Sequence, residues 1–385
     1  MLKFLLPFIL FSLSAFSQSK IDSSKFKAVS ISISYQKGKV FQTNDFLGGI
    51  NNKNKPIAEY YGISTGLNIQ TYGKNLWEQF YNYPKYGFGI NFYELGNSEE
   101  IGNPISLFWN YSAPFKRWEK FSVEYELGLG LAFNWKNYSD ENTYNIAIGS
   151  KVTLHSNFGV KFVYSPINRL NLSAALILSH FSNGSLQTPN MGINLLAPRF
   201  GLSYNMNYDK VNFNKQEVPE FKQNTELLIS PFFALKNISY SDLGIQAQDT
   251  YGVSYPIYGV SLVYNWHVSY MSKIGIGANT TYDQTLNISA KSNNNSNELE
   301  YGATKDNFTL SLLASYDLVF GRISVMIQPS FYVYRNSTLM PDVVFHQRIG
   351  IKYKLTDKFY GLVALRANNF NEADYIEWTI MYDLI

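Results

Sequence analysis

A histidine, a serine and an asparagine lie close together in the stretch from His180 to Asn194, which reads His-Phe-Ser-Asn-Gly-Ser-Leu-Gln-Thr-Pro-Asn-Met-Gly-Ile-Asn. His180 and Ser182 end one alternating segment, a Gly/Pro/Asn-rich turn follows, and Asn194 opens the next segment. A hydroxyl beside an imidazole that a third polar group orients is the arrangement used in nucleophilic catalysis. The stretch therefore predicts a nucleophile, a base and an orienting residue, provided that the three side chains face the same way.

The composition limits the other chemistry that the chain could carry. Its 385 residues are 45% hydrophobic and 16% charged, which is typical of an ordered protein. Because it has no cysteine and only four histidines, we expect no disulfide, no thiolate chemistry and no His-rich metal site. The formal net charge of +3 is not gathered in a basic run, which argues against a nucleic-acid partner.

The N-terminal segment 1–17 predicts a cleaved secretory signal peptide. Lys3 precedes an apolar run, and Ala15 and Ser17 form a small-x-small pattern before Gln18. Beyond residue 17 the chain has no apolar stretch of about 18 residues, so we expect no transmembrane helix. An exported chain that is 17% aromatic and lacks helical spans indicates an outer-membrane β-barrel or a secreted β protein.

Apolar and polar residues alternate with a period of two along the chain, which predicts an all-β fold. In the segment 123–133 apolar residues occupy one face, whereas Glu124, Glu126 and glycines occupy the other. The next segment places His155 and Lys161 on its polar face, so acids and bases would share the interior, and we interpret His155 as structural. The aromatic-rich apolar stripe on each strand favours a surface that faces lipid over a soluble sandwich.

The connections alternate between long Asn/Ser/Asp-rich loops and tight turns, as expected for a transmembrane antiparallel β-barrel. The long loops would be extracellular and the tight turns periplasmic, except that the connection with Trp77 and Phe80 is long for a periplasmic turn. We count about 16 strands, roughly half of them before residue 207 and half after residue 224. We favour one barrel of about 14 to 16 strands, with two tandem barrels of about eight strands as the alternative.

The parity of the strands predicts where the three polar side chains point. On the strand that ends at Ser182 the even positions carry leucines, and His180 continues that set. On the next strand Asn194 belongs to the apolar set that contains Leu196 and Phe200. Residues two apart on a strand project the same way with Cα atoms about 6.6 Å apart, which lets an imidazole and a hydroxyl meet. We therefore expect all three on the lipid-facing wall, at the extracellular end.

The same stretch resembles a known family signature. The motif His180-Phe-Ser182-Asn183-Gly184, followed after four residues by Pro189-Asn190-x-Gly192-x-Asn194, is similar to that of the outer-membrane lipid A 3-O-deacylases, whose relatives include acyloxyacyl hydrolases. Supporting similarity lies at Trp77, Tyr83-Pro84-Lys85-Tyr86-Gly87 and Ile148-Gly149-Ser150. The resemblance thus covers residues 57 to 206, and the second half carries no motif that we assign to this family.

The resemblance implies a role for each matching residue. His180 would be the base, Ser182 the nucleophile and Asn194 the residue that orients the imidazole, while Asn183 and a backbone N–H at Ser185 would form the oxyanion hole. The family has a glutamate at the position of Asn194. An amide oxygen can still accept a hydrogen bond from the imidazole, but it offers no charge to stabilise imidazolium.

The residue patterns and the resemblance together predict a domain organisation. It comprises a signal peptide at 1–17, a β-barrel region at 18–206 that the resemblance makes deacylase-like, a linker at 207–224 and C-terminal β-barrel strands at 225–385.

These features together predict an outer-membrane serine esterase, a carboxylic ester hydrolase. It would remove an ester-linked acyl chain from lipid A of lipopolysaccharide, with lipid A and outer-membrane lipid as its partners and without cofactor or metal. One alternative is a non-catalytic outer-membrane barrel, either a pore or a structural protein, in which the second half carries the function. Another is a secreted soluble β protein, and a homodimer is also left open.

Overall fold

The computed structural model of this protein is almost entirely antiparallel β-sheet. It describes residues 29–206, 213–238, 253–293, 296–336, 343–369 and 372–385. The expected signal peptide at 1–17 and residues 207–212 of the expected linker therefore lie outside the described residues. Within the described ranges, no helix is long and apolar enough to cross a membrane.

The first half of the chain forms one closed barrel. Its strands are β1 (Val29–Val40), β2 (Glu59–Gln70), β3 (Lys85–Glu94), β4 (Gly102–Arg117), β5 (Phe121–Trp135), β6 (Thr153–Ile167), β7 (Leu170–Ser182) and β8 (Ile193–Asn205). Each strand pairs with its neighbour in sequence, and β1 also pairs with β8. Two short helices, α1 (Asp45–Gly48) and α2 (Leu76–Phe80), lie in the connections that follow β1 and β2.

The second half forms another closed barrel. Its strands are β9 (Thr225–Ile238), β10 (Val253–His267), β11 (Ser272–Asp283), β12 (Ile288–Asn293), β13 (Ser296–Tyr301), β14 (Phe308–Phe320), β15 (Ile323–Tyr334), β16 (Phe345–Lys354), β17 (Phe359–Asn368) and β18 (Glu372–Asp383). Strands β12 and β13 form a separate two-stranded hairpin. The other eight strands close into the barrel through the pairing of β18 with β9.

The predicted all-β antiparallel barrel fold is confirmed, but in its tandem form. The single barrel of 14 to 16 strands that the sequence favoured is corrected to two barrels of eight. The reason is that β8 returns to β1, with Ser30 opposite Asn205 and Val40 opposite Leu195, instead of pairing with β9. Eight strands enclose an interior that side chains can fill, so each half closes by itself.

Side chains alternate between the outer walls and the interiors of the barrels. On β7, Leu172, Leu176 and Leu178 are exposed on the outer wall, whereas Asn171 and Ser179 are buried. This is the alternation expected when the outer wall meets lipid and the interior is polar.

Ion pairs fill part of the interior of the first barrel. The Arg199 guanidinium lies 2.6 Å from the Glu126 carboxylate, and the Lys161 ammonium lies 3.3 Å from Glu126 and 3.2 Å from Glu124. The predicted sharing of the interior by acids and bases is thereby confirmed. His155 is buried there too, and its ring contacts the Ser106 hydroxyl at 2.6 Å, which fits the structural interpretation.

The interior of the second barrel is also filled by charged side chains. Arg348 is 1% exposed and donates from Nε to Glu377 Oε2 at 2.8 Å and from Nη1 to Ser261 Oγ at 2.9 Å and Gln328 Oε1 at 3.0 Å. Burying a charge is costly unless it is paired and hydrogen-bonded. This network meets that condition inside the closed sheet.

The long connection that carries α2, which the sequence predicted to be periplasmic, packs against the second barrel. Phe80 stacks on Tyr270 with ring centroids 5.0 Å apart, and Tyr81 stacks on Phe320 at 4.5 Å. The Tyr81 hydroxyl donates to Val319 O at 3.0 Å, and burial raises the pKa of this phenol, so the hydroxyl keeps its proton. The unusual length of this connection is therefore explained by its contact between the barrels.

We expect Arg348→Met to destabilise the second barrel by about 3 to 5 kcal/mol, because it leaves the Glu377 carboxylate buried without its partner. Urea unfolding in detergent, followed by the shift between folded and unfolded bands on unheated gels, measures this. The control is Lys53→Met, which removes an exposed ion pair with Glu99 and should cost less than about 1 kcal/mol. Equal unfolding midpoints for the two variants would contradict the structural role of the buried network.

Candidate active site

The register of β7 and β8 brings His180 and Asn194 together. The two residues lie directly opposite each other in the antiparallel pair, and His180 Nδ1 lies 2.7 Å from Asn194 Oδ1. Because an amide oxygen can only accept, Nδ1 donates in this contact. The other ring nitrogen, Nε2, is then the one that can take a proton.

Ser182 lies two residues beyond His180, on the same face of β7. This face continues the exposed leucine positions of the outer wall, yet Ser182 is only 9% exposed. The cover comes from the following loop, since a Cβ at Gly192 would lie 3.1 Å from His180 Cε1 and 3.7 Å from Ser182 Cβ. The imidazole and the hydroxyl thus share one shielded place on the outer wall, at the end of the strands.

Two hydrogen-bond donors reach the Ser182 hydroxyl oxygen. The Gly184 backbone N–H donates to Ser182 Oγ at 3.0 Å, and Asn190 Nδ2 donates to the same oxygen at 2.8 Å. The Asn190 side chain is held in place because its amide oxygen Oδ1 accepts a hydrogen bond from the Asn183 backbone N–H at 3.1 Å. Asn190 has no role in the site predicted from the sequence, and its place within the motif was the only signal that pointed to it.

The side chains of Asn183 and Ser185 have other partners in the structure. Asn183 is buried, and its Nδ2 donates to Gln187 O at 2.7 Å and to Ser150 Oγ at 3.3 Å. The Ser185 hydroxyl donates to Ala373 O at 2.6 Å. The oxyanion roles that the resemblance implies for these two residues stay predictions, whereas their side chains hold the loop.

The connection between β5 and β6 supports the loop from the first barrel. The Gly192 N–H donates to Ala147 O at 2.9 Å. At Gly149 the two backbones approach so closely that a Cβ would lie 2.2 Å from Pro189 O and 2.7 Å from Gln187 O. Only a glycine fits at this contact without movement of the loop.

No cluster of three or more His, Asp or Glu side chains that could hold a metal ion occurs in the parts of the chain that the structure describes.

We expect Gly149→Ala to loosen the loop, because its new methyl group must push the Pro189 and Gln187 carbonyls away. Overpacking of this kind costs about 1 to 3 kcal/mol. Hydrogen exchange followed by mass spectrometry on peptides covering 183–192 should show faster exchange. Gly48→Ala is the control, since nothing lies within 4 Å of a Cβ at Gly48, and its exchange in this loop should equal that of the unmodified protein. Unchanged protection in Gly149→Ala would contradict the close contact.

Two family models and one curated relative match parts of this chain. A model described as "Lipid A 3-O-deacylase (PagL)" matches residues 60–203, and one described as "Acyloxyacyl hydrolase, C-terminal domain" matches residues 226–385. The Lipid A deacylase PagL of Bordetella bronchiseptica is 32% identical over 158 residues, which is 36% of this chain and 78% of that relative.

Two solved structures match this chain, one over less than half of its length and the other over most of it. The crystal structure of the outer membrane enzyme PagL is 17% identical and covers 44% of this chain and 97% of its own, with a TM-score of 0.29. A triple mutant of the Rhodopseudomonas blastica porin is 8% identical. The match covers 92% of this chain and 99% of the porin chain, with a TM-score of 0.17.

The chain is an outer-membrane β-barrel protein. It belongs to the lipid A 3-O-deacylase (PagL) family. The predicted family and localisation are thereby confirmed, and the alternative of a secreted soluble protein is wrong. The second half, in which the sequence showed no assignable motif, is similar to the domain described as "Acyloxyacyl hydrolase, C-terminal domain".

Proposed function

We propose that this protein is a serine esterase that removes an ester-linked acyl chain from lipid A of lipopolysaccharide. The observation that carries the proposal is the 2.7 Å contact between His180 Nδ1 and Asn194 Oδ1, with Ser182 two residues along the same outer face. This is a base, its orienting residue and a nucleophile in one place. Membership of the lipid A deacylase family supplies the substrate class.

The proposed reaction begins when His180 Nε2 takes the proton of the Ser182 hydroxyl. Ser182 Oγ attacks the acyl carbonyl carbon, and the carbonyl oxygen becomes an oxyanion. His180 then gives its proton to the leaving sugar oxygen as the C–O bond breaks, which leaves an acyl-serine. A water molecule, deprotonated by His180, attacks this ester and releases the fatty acid, and His180 returns the proton to Ser182.

The oxyanion needs donors that are already in place. The Gly184 N–H and Asn190 Nδ2 both donate to Ser182 Oγ in the structure, so they lie beside the attacking atom, next to the place that the carbonyl oxygen of the bound ester would occupy. We add them to the donors implied by the resemblance, Asn183 and the backbone N–H of Ser185. Asn194 holds the imidazole in the tautomer that keeps Nε2 basic, and it does so without a charge.

The position of the site suits a lipid whose acyl chains lie in the outer leaflet. Below His180, the exposed leucines Leu176 and Leu178 continue along the same wall of β7. An acyl chain can lie along this apolar surface while its ester group reaches the polar residues at the strand end. No entry into the barrel interior is then needed.

The alternative of a non-catalytic pore has less support. The second barrel has eight strands, and Arg348, Glu377 and Lys352 are buried inside it. A barrel of this size has an interior just wide enough for its own side chains. A function as a transmembrane pore does not follow from such an interior.

We expect Ser182→Ala to abolish the removal of acyl chains from lipid A, because the attacking oxygen is lost. Mass spectrometry of lipid A from cells that express the protein would show a species lighter by one acyl chain for the unmodified protein and not for the variant. Ser173→Ala, on the inner face of the same strand, is the matched control and should retain activity. Identical acylation with and without the unmodified protein would refute the proposal.

We expect Asn194→Ala to lower the rate of deacylation by about 100- to 10,000-fold, because the base loses the contact that orients it. Asn194→Glu should instead raise the rate by roughly tenfold, because a carboxylate forms a stronger, charge-assisted hydrogen bond with imidazolium. Initial rates on purified lipid A in detergent micelles measure both effects. A normal rate in Asn194→Ala would show that the imidazole needs no orienting partner.

A further inference from the structure

The loop that follows Ser182 is attached to the second barrel as well as to the first. The Ser185 hydroxyl donates to Ala373 O at 2.6 Å, at the start of β18. The Thr188 hydroxyl donates to Asn237 Oδ1 at 3.1 Å, and the Thr188 N–H donates to the same oxygen at 3.4 Å, at the end of β9. The segment 184–188 is therefore hydrogen-bonded to β18 and β9, two adjacent strands of the second barrel.

An isoleucine on the outer face of β18 shows that this contact also excludes solvent and lipid. Ile376 and Ile380 lie four residues apart on the same face of the strand, yet Ile376 is 6% exposed and Ile380 is 63% exposed. The cover over Ile376 is the loop, because a Cβ at Gly184 would lie 2.8 Å from Ile376 Cδ1 and 3.5 Å from Leu365 Cδ1. Gly184 thus packs directly on the wall of the second barrel.

Gly184, which packs on the second barrel, also donates a hydrogen bond to the proposed nucleophile. The Gly184 N–H donates to Ser182 Oγ at 3.0 Å. Gly184 and Ser185 have φ values of +64° and +61°, and a serine adopts this left-handed region only at an energetic cost. Such a conformation persists where the surrounding structure holds it, and the bond from Ser185 to Ala373 O is part of that support.

We propose that the second barrel is a positioning element for the catalytic serine. Asn237, Ile376 and the Ala373 carbonyl hold the segment 184–188 in the conformation that presents the Gly184 N–H to Ser182. The first barrel holds the other end of the loop, where the Gly192 N–H bonds to Ala147 O. This inference rests on the proposed function, since it takes Ser182 to be the nucleophile, and Asn237 and Ile376 are positioning residues within it.

The side-chain chemistry allows a matched set of variants. Asn237→Leu keeps the size of the side chain but removes the oxygen that accepts from Thr188, whereas Asn237→Asp keeps an accepting oxygen. Ile376→Ala removes the packing against Gly184, and Ile380→Ala makes the same change on the exposed part of the same strand face. Asn237→Asp and Ile380→Ala are therefore the controls.

Two measurements on the full-length protein separate positioning from general stability. The first is the rate at which Ser182 reacts with a fluorophosphonate, which reports the reactivity of the nucleophile without lipid A. The second is the mobility of a nitroxide attached to Gln187→Cys, which is a single label because the chain has no cysteine. Heat-dependent gel migration of every variant checks that both barrels are folded.

We expect Asn237→Leu and Ile376→Ala to react with the fluorophosphonate about 10- to 100-fold more slowly, because small displacements of catalytic groups have effects of this size. The nitroxide should become more mobile in both variants. Asn237→Asp and Ile380→Ala should match the unmodified protein in both measurements.

The proposal is overturned if the label mobility or the fluorophosphonate rate is unchanged in Asn237→Leu and Ile376→Ala. A reaction at Ser182 that depends on Asn237, together with unaltered lipid A, would contradict only the proposed substrate. A fluorophosphonate that fails to label Ser182 in the unmodified folded protein would contradict the proposed nucleophile, and the positioning role with it.

Discussion

Complete pairing of backbone hydrogen-bond groups is the constraint on which the rest of this structure depends. In the hydrocarbon core of a membrane, no water is present to satisfy an open sheet edge, so a spanning sheet must close on itself. This chain meets the constraint twice, through β1 with β8 and through β18 with β9. Because each barrel has only eight strands, its interior holds its own polar and charged side chains. Chemistry on a lipid is thereby left to the outer walls and the strand ends.

The register of one strand pair then decides the geometry of the site. A shift of one residue between β7 and β8 would separate His180 from Asn194 and turn one of them towards the interior. The observed register is supported by the loop between the strands, in which Gly184, Ser185 and Gly192 all have positive φ values. The site is thus built from regular sheet geometry plus one loop whose conformation is unusual.

Much of this could be predicted from the sequence, because the alternation of side chains is a local property. The positions of the strands and the outward direction of His180 and Ser182 follow from the period of two. The closure of the sheet does not, since one large barrel and two small ones have the same alternation. The bonds of Asn183 and Asn190 could not be predicted either, because they depend on the conformation of a loop rather than on a repeating pattern.

The contact of Gly184 with Ile376 makes substitutions in one half of the chain depend on residues in the other half. Neither position can change freely, because a larger residue at 184 would need a smaller one at 376, and the bond from Thr188 sets a similar condition on Asn237. The C-terminal half is therefore not an exchangeable module. A hybrid that joins the first barrel of this protein to the second barrel of a relative would need the residues on both sides of this contact to come from the same parent.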